Sequence, residues 1–547
     1  MTIRRFLGAF FLAALAIGCA TSGPAPDARG TAARLKVDVS WLADDERQGR
    51  EAGTPGYDAA AEYVAREFAA AGLAPGVDGG WAQTVPLRAT MRDLDAARFS
   101  IDGAGGFQTL VHLTDYIIGR SASETDYEAN GDLVYVGYGV SAPSEGYDDY
   151  VGLDVAGKIV VAFSGAPRAF STEVAAYFSD TEIKLKNAAA KGATGFISLQ
   201  SKSAEFPWPV AVKYAGAPGL TWVGPDGRAA APAPSIRATA FMNESGAQKL
   251  FAGEALDFLA LRTSEAASGA PRGFALKKRA RLAGRSTFSE MSSDNIIGLI
   301  EGSDPVLKHE VVLLTAHLDH VGVDDGGAPG EDVINNGAMD NAVGVSVLIE
   351  AAGMFRRSGK APRRTIAFAA LTAEEKGLIG SDYLAQNPPF AGKRVVANVN
   401  LDMPILLYPF TDVVAFGAER SSIGPMVAEA AASMGVALSP DPLPEENIFT
   451  RSDHYSFVKQ GVPAIFLITG FGAGGGDIFR DFLETHYHAP SDDISLPILY
   501  DQGARFTELN YRIARALADA DTAPAWNEGD FFGETYGMKL ERAPDGP

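Results

Sequence analysis

Three short apolar runs constrain this chain more than any other feature, because each ends in side chains that bind metal ions. Residues 311–316 (Val-Val-Leu-Leu-Thr-Ala) run into His317-Leu318-Asp319-His320. Residues 365–371 run into Thr372-Ala373-Glu374-Glu375, and residues 395–401 run into Asp402. Near-continuous hydrophobic runs of this length, separated by helical patterns, predict buried parallel strands. In open α/β sheets, ligands gather beyond the carboxyl ends of such strands. Histidine and carboxylate repeated at that position are hard to explain as packing. The fold class expected is therefore α/β.

Between the first two runs, Asp340-Asn341 opens a segment, 340–350, whose apolar spacing and small residues predict a helix packed on the sheet. A later stretch, 484–493, brings His486 and His488. The candidate ligands are His317, Asp340, Glu375, Asp402 and one of the two late histidines. Imidazoles and carboxylates in this proportion suit borderline divalent ions, zinc above all. One catalytic zinc needs only three protein ligands. Five ligands with Glu374 to spare imply two Zn2+ ions sharing a bridging carboxylate, and Asp340 is the candidate bridge.

Glu374-Glu375 elsewhere would be an ordinary solvated pair. Directly after a buried strand, neighbouring side chains diverge, so Glu375 can hold metal while Glu374 reaches water as the general base. A ligating His317 needs an acceptor on its other ring nitrogen to fix the tautomer, and Asp319 is the candidate.

At 547 residues the chain exceeds one compact domain. A formal net charge of −21 argues against a nucleic-acid partner, which needs clustered Lys and Arg. Arg4-Arg5, an apolar run at 6–17 and Gly18-Cys19-Ala20 read as an export signal. Leu15-Ala16-Ile17-Gly18 before Cys19 resembles a bacterial lipobox. Residues 1–19 are thus expected to be a lipoprotein-type signal peptide, with a lipid anchor at Cys19 as the membrane contact. The protein would then be periplasmic or anchored in the outer membrane, or alternatively secreted. Cys19 is the only cysteine, so no intramolecular disulfide can form. Residues 20–35, rich in Pro, Gly, Ala and Ser, read as a flexible tether. The rest of the chain shows no transmembrane candidate.

An amphipathic helix is expected over 57–71, ended by Gly72. Residues 120–259 change texture. Strand-like runs at 133–140, 158–163 and 192–199 flank a helical stretch at 184–191, and no cluster of catalytic groups accompanies them. This block is expected to be a β-rich module inserted into a discontinuous domain formed by 36–119 and 260–525. A return linker is placed at 264–284, a helical closing element at 496–517 and a peripheral tail at 526–547.

The order His317-x-Asp319, Asp340-Asn341, Glu374-Glu375, Asn400-Leu401-Asp402-Met403, Ser452-Asp453-His454 and Tyr487-His488-x-x-x-Asp492 resembles the co-catalytic zinc exopeptidases. That family includes bacterial secreted aminopeptidases and glutamate carboxypeptidase. The likeness covers about residues 41–517, and the insert resembles a protease-associated domain. The resemblance implies a three-layer αβα sheet of phosphorylase/hydrolase-like type. It implies His488 rather than His486 as the fifth ligand, Glu374 as base, and Tyr487 as a donor to the tetrahedral intermediate. It gives Ser452-Asp453-His454 no role beyond shaping the pocket. The activity implied is that of a metalloexopeptidase acting on peptides, an aminopeptidase first. A carboxypeptidase or dipeptidase of the same family, and a glutaminyl cyclase-like transferase, are the alternatives.

Overall fold

The computed structural model describes residues 27–537, apart from 104–105, 203–205, 325 and 328–329. The expected signal peptide, Cys19 and residues 538–547 lie outside the described residues.

A mixed sheet forms the centre of the metal-binding half. Four strands, Thr365–Leu371, Glu310–His317, Arg394–Leu401 and Ala464–Thr469, pair in that order and all run parallel. Antiparallel neighbours flank them: Phe274–Ile300 beside the first, Asp412–Phe416 beside the last. The parallel strands are buried on both faces, which is why they read as unbroken apolar runs. Period-two alternation splits their side chains between two helical layers. Val312, Leu314, Ile366 and Phe368 face the larger core with helices Ala28–Leu42, Pro55–Ala70, Val343–Arg357 and Tyr500–Asp519. Val311, Leu313, Ala367 and Ala369 face the opposite side with Leu384 and Phe457, from helices Ile379–Gln386 and His454–Val458. The result is the expected helix–sheet–helix sandwich. The segment Ala338–Arg357 is long and apolar enough to cross a membrane, but its residues 338–355 lie buried in this core.

Three boundaries differ from the sequence reading. The first helix starts at Ala28, inside the expected tether, and buries Thr31 and Leu35. Arg34 holds Glu350 through two hydrogen bonds of 2.7 and 2.8 Å, and Asp38 accepts from Tyr63 (2.7 Å) and Ser346 (3.1 Å). A Pro/Gly/Ala-rich composition hid these few anchoring residues.

The accessory module is wider than 120–259. Its core runs from Ala97 and Phe99 to Leu282, and its sheet includes Arg98–Gly103 and residues up to 285 of the long strand. Helices such as Thr172–Ser179 and Phe258–Ser268 cover this sheet, whose inner strands are parallel. In place of the linker at 264–284, one strand of 27 residues, Phe274–Ile300, leaves the accessory sheet and enters the central one without a break. Within it, the alternation of Leu276, Ala280 and Leu282 with charged neighbours marks a half-buried strand.

The C-terminal stretch is not peripheral up to Gly537. Phe532, on helix Phe531–Tyr536, is fully buried against Phe449, Tyr455 and Tyr177. It joins the accessory module to residues 444–452.

Candidate metal centre

Each candidate ligand leaves a strand end or an adjoining loop. His317 is the last residue of its strand, Asp402 follows Leu401, and Glu374-Glu375 follow Leu371 after two residues. Asp340 lies in a non-helical turn just before helix Val343–Arg357, so it does not cap that helix. His488 arrives from the loop after helix Gly475–Thr485. The structure brings all five together, with Glu374 beside them.

The two oxygens of Asp340 face different partners. Oδ1 lies 3.3 Å from Nε2 of His317, whose same nitrogen is 3.0 Å from Asp402 Oδ1. Oδ2 lies 3.2 Å from Nε2 of His488, which is 3.1 Å from Glu375 Oε2. Two donor sets therefore share one carboxylate: His317, Asp340 and Asp402 on one side, Asp340, Glu375 and His488 on the other. Imidazole with carboxylate is the donor chemistry that borderline divalent ions take, so these residues fit zinc. His486 stands apart, half-buried and 2.8 Å from Ser491 Oγ.

The charges couple strongly. Burial opposes the charged form of His317, but Asp402, Glu374 and Asp340 outweigh it and raise its pKa well above the usual imidazole value. His488 is raised to about 10, with burial again overcome by Asp340 and Glu375. Protons thus compete with cations for the same nitrogens, and ion binding must release them. Glu374 is raised as well, but here burial is the cause: it disfavours the charged carboxylate and pushes the group well above its ordinary value.

Surrounding hydrogen bonds fix the ligands. The acceptor for His317 Nδ1 is the main-chain oxygen of Asp319 at 3.1 Å, not its carboxylate. The Asp319 carboxylate instead accepts from the amides of Glu374 (3.0 Å) and Glu375 (3.3 Å), and burial raises its pKa to about 7. Asp492 does the same for the Asp340 turn, accepting from the amides of Met339 (2.9 Å) and Asp340 (3.0 Å). Ser452 Oγ donates to Asp402 Oδ2 at 2.6 Å and accepts from Asn400 Nδ2 at 2.7 Å. These give Ser452 and Asp492 positioning roles that the sequence motifs contained without revealing. Asp453 and His454 are fully buried beneath the site. Burial raises Asp453 to about 7 and lowers His454 to about 3.

Arg50 was not singled out by the sequence either. Fully buried, it donates to the carbonyls of Leu318, Leu42, Asn336 and Gly337 at 2.6–3.0 Å. It ties together the two loops that carry His317 and Asp340. His320 was likewise missed, although the second imidazole of the His317–His320 run was in plain view. It is fully buried with Nδ1 2.8 Å from Glu375 Oε1.

A cavity of about 310 Å³ opens on the cluster. Met403, Ile448, Phe466, Phe479 and Leu483 make its apolar wall, and Glu446 and Arg451 also line it. Tyr487 lines it too, its ring stacked on His488 at 3.9 Å between centroids. A larger depression of about 910 Å³, lined by Val414, Phe416, Leu438 and Asp441 among others, contains none of the metal-binding side chains. The chemistry belongs to the smaller cavity.

The profile described as Peptidase family M28 matches residues 295–513. A "Probable zinc metalloprotease" of Pyrenophora tritici-repentis (strain Pt-1C-BFP) is 43% identical over 67 residues, 12% of this chain and 15% of that protein. "Leucine aminopeptidase 1" of Trichophyton rubrum is 29% identical over 223 residues, 39% of this chain and 54% of that protein. The chain thus spans less than two thirds of these curated relatives. The solved structure titled "Aminopeptidase from Aneurinibacillus sp. strain AM-1" shares the fold, with a TM-score of 0.50 at 19% identity over 91% of this chain and 96% of that one. The residues that this family model matches, 295–513, hold every ligand candidate described above.

Proposed function

We propose that the protein is a zinc-dependent metalloexopeptidase, an aminopeptidase that removes residues from the amino end of peptides at a centre holding two Zn2+ ions. One observation carries the reading: Asp340 turns one oxygen to His317 and Asp402 and the other to His488 and Glu375. A lone ion would leave one of these donor sets unused.

His317, Asp340 and Asp402 would hold one ion, and Asp340, Glu375 and His488 the other. Zinc bound there would polarise a scissile carbonyl and make water acidic enough to react near neutral pH. Glu374 takes the proton from the attacking water and returns it to the leaving amine. Asp319 fixes the main chain of Glu374 and Glu375, so that one carboxylate faces metal and the other the reacting atoms. Tyr487, on the cavity wall, would donate to the developing oxyanion. The apolar wall excludes water and receives the side chain at the cleaved end.

A panel of aminoacyl-nitroanilides, N-acetylated peptides and C-terminally amidated peptides tests the reading. Zinc-dependent cleavage of substrates with a free amino end, lost on acetylation and kept on amidation, is the expected outcome. Insensitivity to chelators would overturn it. A carboxypeptidase or dipeptidase reading draws on Arg451, which lines the cavity half-exposed and is paired with Glu446 at 3.2 Å. Loss of cleavage on amidation would favour that reading.

The accessory module is read here as a protease-associated domain. The export signal and Cys19 point to a lipid-anchored protein outside the cytoplasm, and metabolic labelling with a fatty acid tests that assignment.

A further inference from the structure

We propose that His320 is a positioning residue for Glu375, setting which of its oxygens is offered to metal and so tuning one ion of the pair without touching the other. The inference rests on the two-ion reading of the site.

The distances separate His320 from the ligands. Two donors bound tetrahedrally to one zinc at about 2.0–2.1 Å lie roughly 3.3 Å apart. The four ligand-to-ligand separations around Asp340 fall near that value, at 3.0, 3.1, 3.2 and 3.3 Å. His320 Nδ1 departs from it in both directions. It sits 2.8 Å from Glu375 Oε1, a charge-assisted hydrogen-bond distance, and 3.8 Å from Asp340 Oδ2. Nδ1–H therefore donates to Oε1. The other oxygen, Oε2, is left facing His488.

The ring is locked in this pose. Gly337, at φ +59°, has its backbone against the imidazole, and a Cβ there would meet the ring carbons at 2.6 and 2.7 Å. The main-chain amide of His320 donates to the Arg50 carbonyl at 3.2 Å, and its ring meets His488 edge-on at 5.5 Å between centroids. Nε2 is buried and has no hydrogen-bond partner among the described residues, so the ring gains its polar contact there through Nδ1. Among the described residues, no comparable group holds the carboxylate on the other side. There, Asp402 Oδ2 takes a neutral hydroxyl, Ser452 Oγ. The two ion positions therefore differ: one carboxylate is steered by a buried imidazole, the other by a serine.

Calorimetric titration of the metal-free full-length protein with Zn2+ tests this, together with the absorption spectrum of the Co2+-loaded form. For His320→Ala, one of the two binding steps weakens about 10–100-fold, the other stays unchanged, and the Co2+ band shape at saturation matches the parent. His320→Asn, whose amide nitrogen falls near the Nδ1 position, restores the affinity. His320→Gln, whose amide falls near Nε2, does not, and this pair carries the test should the alanine variant fail to fold. Two unchanged steps in His320→Ala overturn the proposal. So does equal weakening of both steps, a His320→Asn variant as weak as His320→Gln, or a changed Co2+ band shape, which would make His320 a ligand. Binding of a single ion by the parent protein would instead overturn the two-ion reading itself.

Discussion

The carboxylate of Asp319 accepts the main-chain amide of Glu374 at 3.0 Å, in a pocket fully closed to solvent. Together with the 3.3 Å bond from the amide of Glu375, it holds the turn from which two adjacent carboxylates diverge. Removing this anchor would disturb both at once. Asp319→Ala is expected to lower turnover and metal affinity together, and Asp319→Asn, which keeps one acceptor oxygen, to lie in between. Turnover and Zn2+ content measured on the same preparations check this. Loss of turnover with full metal retention would mean that Asp319 serves only the base.

Glu374→Gln preserves shape and removes the proposed proton acceptor. It is expected to retain the metal content of the parent and to lose about 10²–10⁴-fold in kcat, the range that general acid–base catalysis supplies. Metal analysis and steady-state kinetics on one aminoacyl-nitroanilide decide it. A variant with near-normal turnover removes Glu374 from the mechanism.

Asp340→Ala deletes an oxygen from both donor sets. On the two-ion proposal, the variant is expected to lose most of both ions after dialysis, whereas Asp402→Ala loses chiefly one. Metal-to-protein ratios by mass spectrometry distinguish these patterns. Full two-ion occupancy in Asp340→Ala would remove the bridge.

Arg50 donates to four buried carbonyls. In Arg50→Met those acceptors lose their partner, and the acidic cluster above loses a compensating charge. The expected cost is about 3–5 kcal/mol, read as a lowered urea midpoint of the metal-free protein. A shift below about 1 kcal/mol would show that water replaces the guanidinium.

Lys184 gives the accessory module a pH signature. Its ammonium is buried and donates to the carbonyls of Phe163 (2.8 Å) and Gly165 (2.5 Å), and burial lowers its pKa from 10.5 to about 7. With the folded value below the unfolded one, the unfolded chain binds this proton between about pH 7 and 10.5 and the folded chain does not. Stability therefore rises with pH through that window, and the destabilising contribution is complete below it. Relative to Lys184→Met, the parent should gain about 1 kcal/mol per pH unit from pH 7 to 9. Parallel unfolding midpoints across that range would dismiss the effect.

Much of the site was legible because metal chemistry restricts residue types and strand ends restrict their positions. His317, Glu374-Glu375 and Asp402 announced themselves by following apolar runs. Arg50 and His320 did not, since a buried cation or imidazole acting through backbone carbonyls or a neighbouring carboxylate leaves no spacing rule. Asp319 was read as the partner of the His317 ring, while its carboxylate in fact holds amides 55 and 56 positions away. Sequence proximity gave the right residue but not the atom, since the ring meets the main-chain oxygen of Asp319. The limits of the accessory module were missed for a different reason. Residues 274–285 alternate charged and small apolar side chains, a pattern that suits a half-buried strand as well as an exposed connection. Helix Phe531–Tyr536 is too short to show periodicity, and the burial of Phe532 depends on aromatic partners from three distant segments.

The uninterrupted strand from Phe274 to Ile300 turns the two lobes into parts of one ruler. Side chains on a strand change face at every step, so the parity of residues between 285 and 294 ties the inward face of one lobe to that of the other. A graft that exchanged the accessory lobe would have to preserve this count. Losing a single residue there would turn one lobe's interior outward while leaving its neighbour intact.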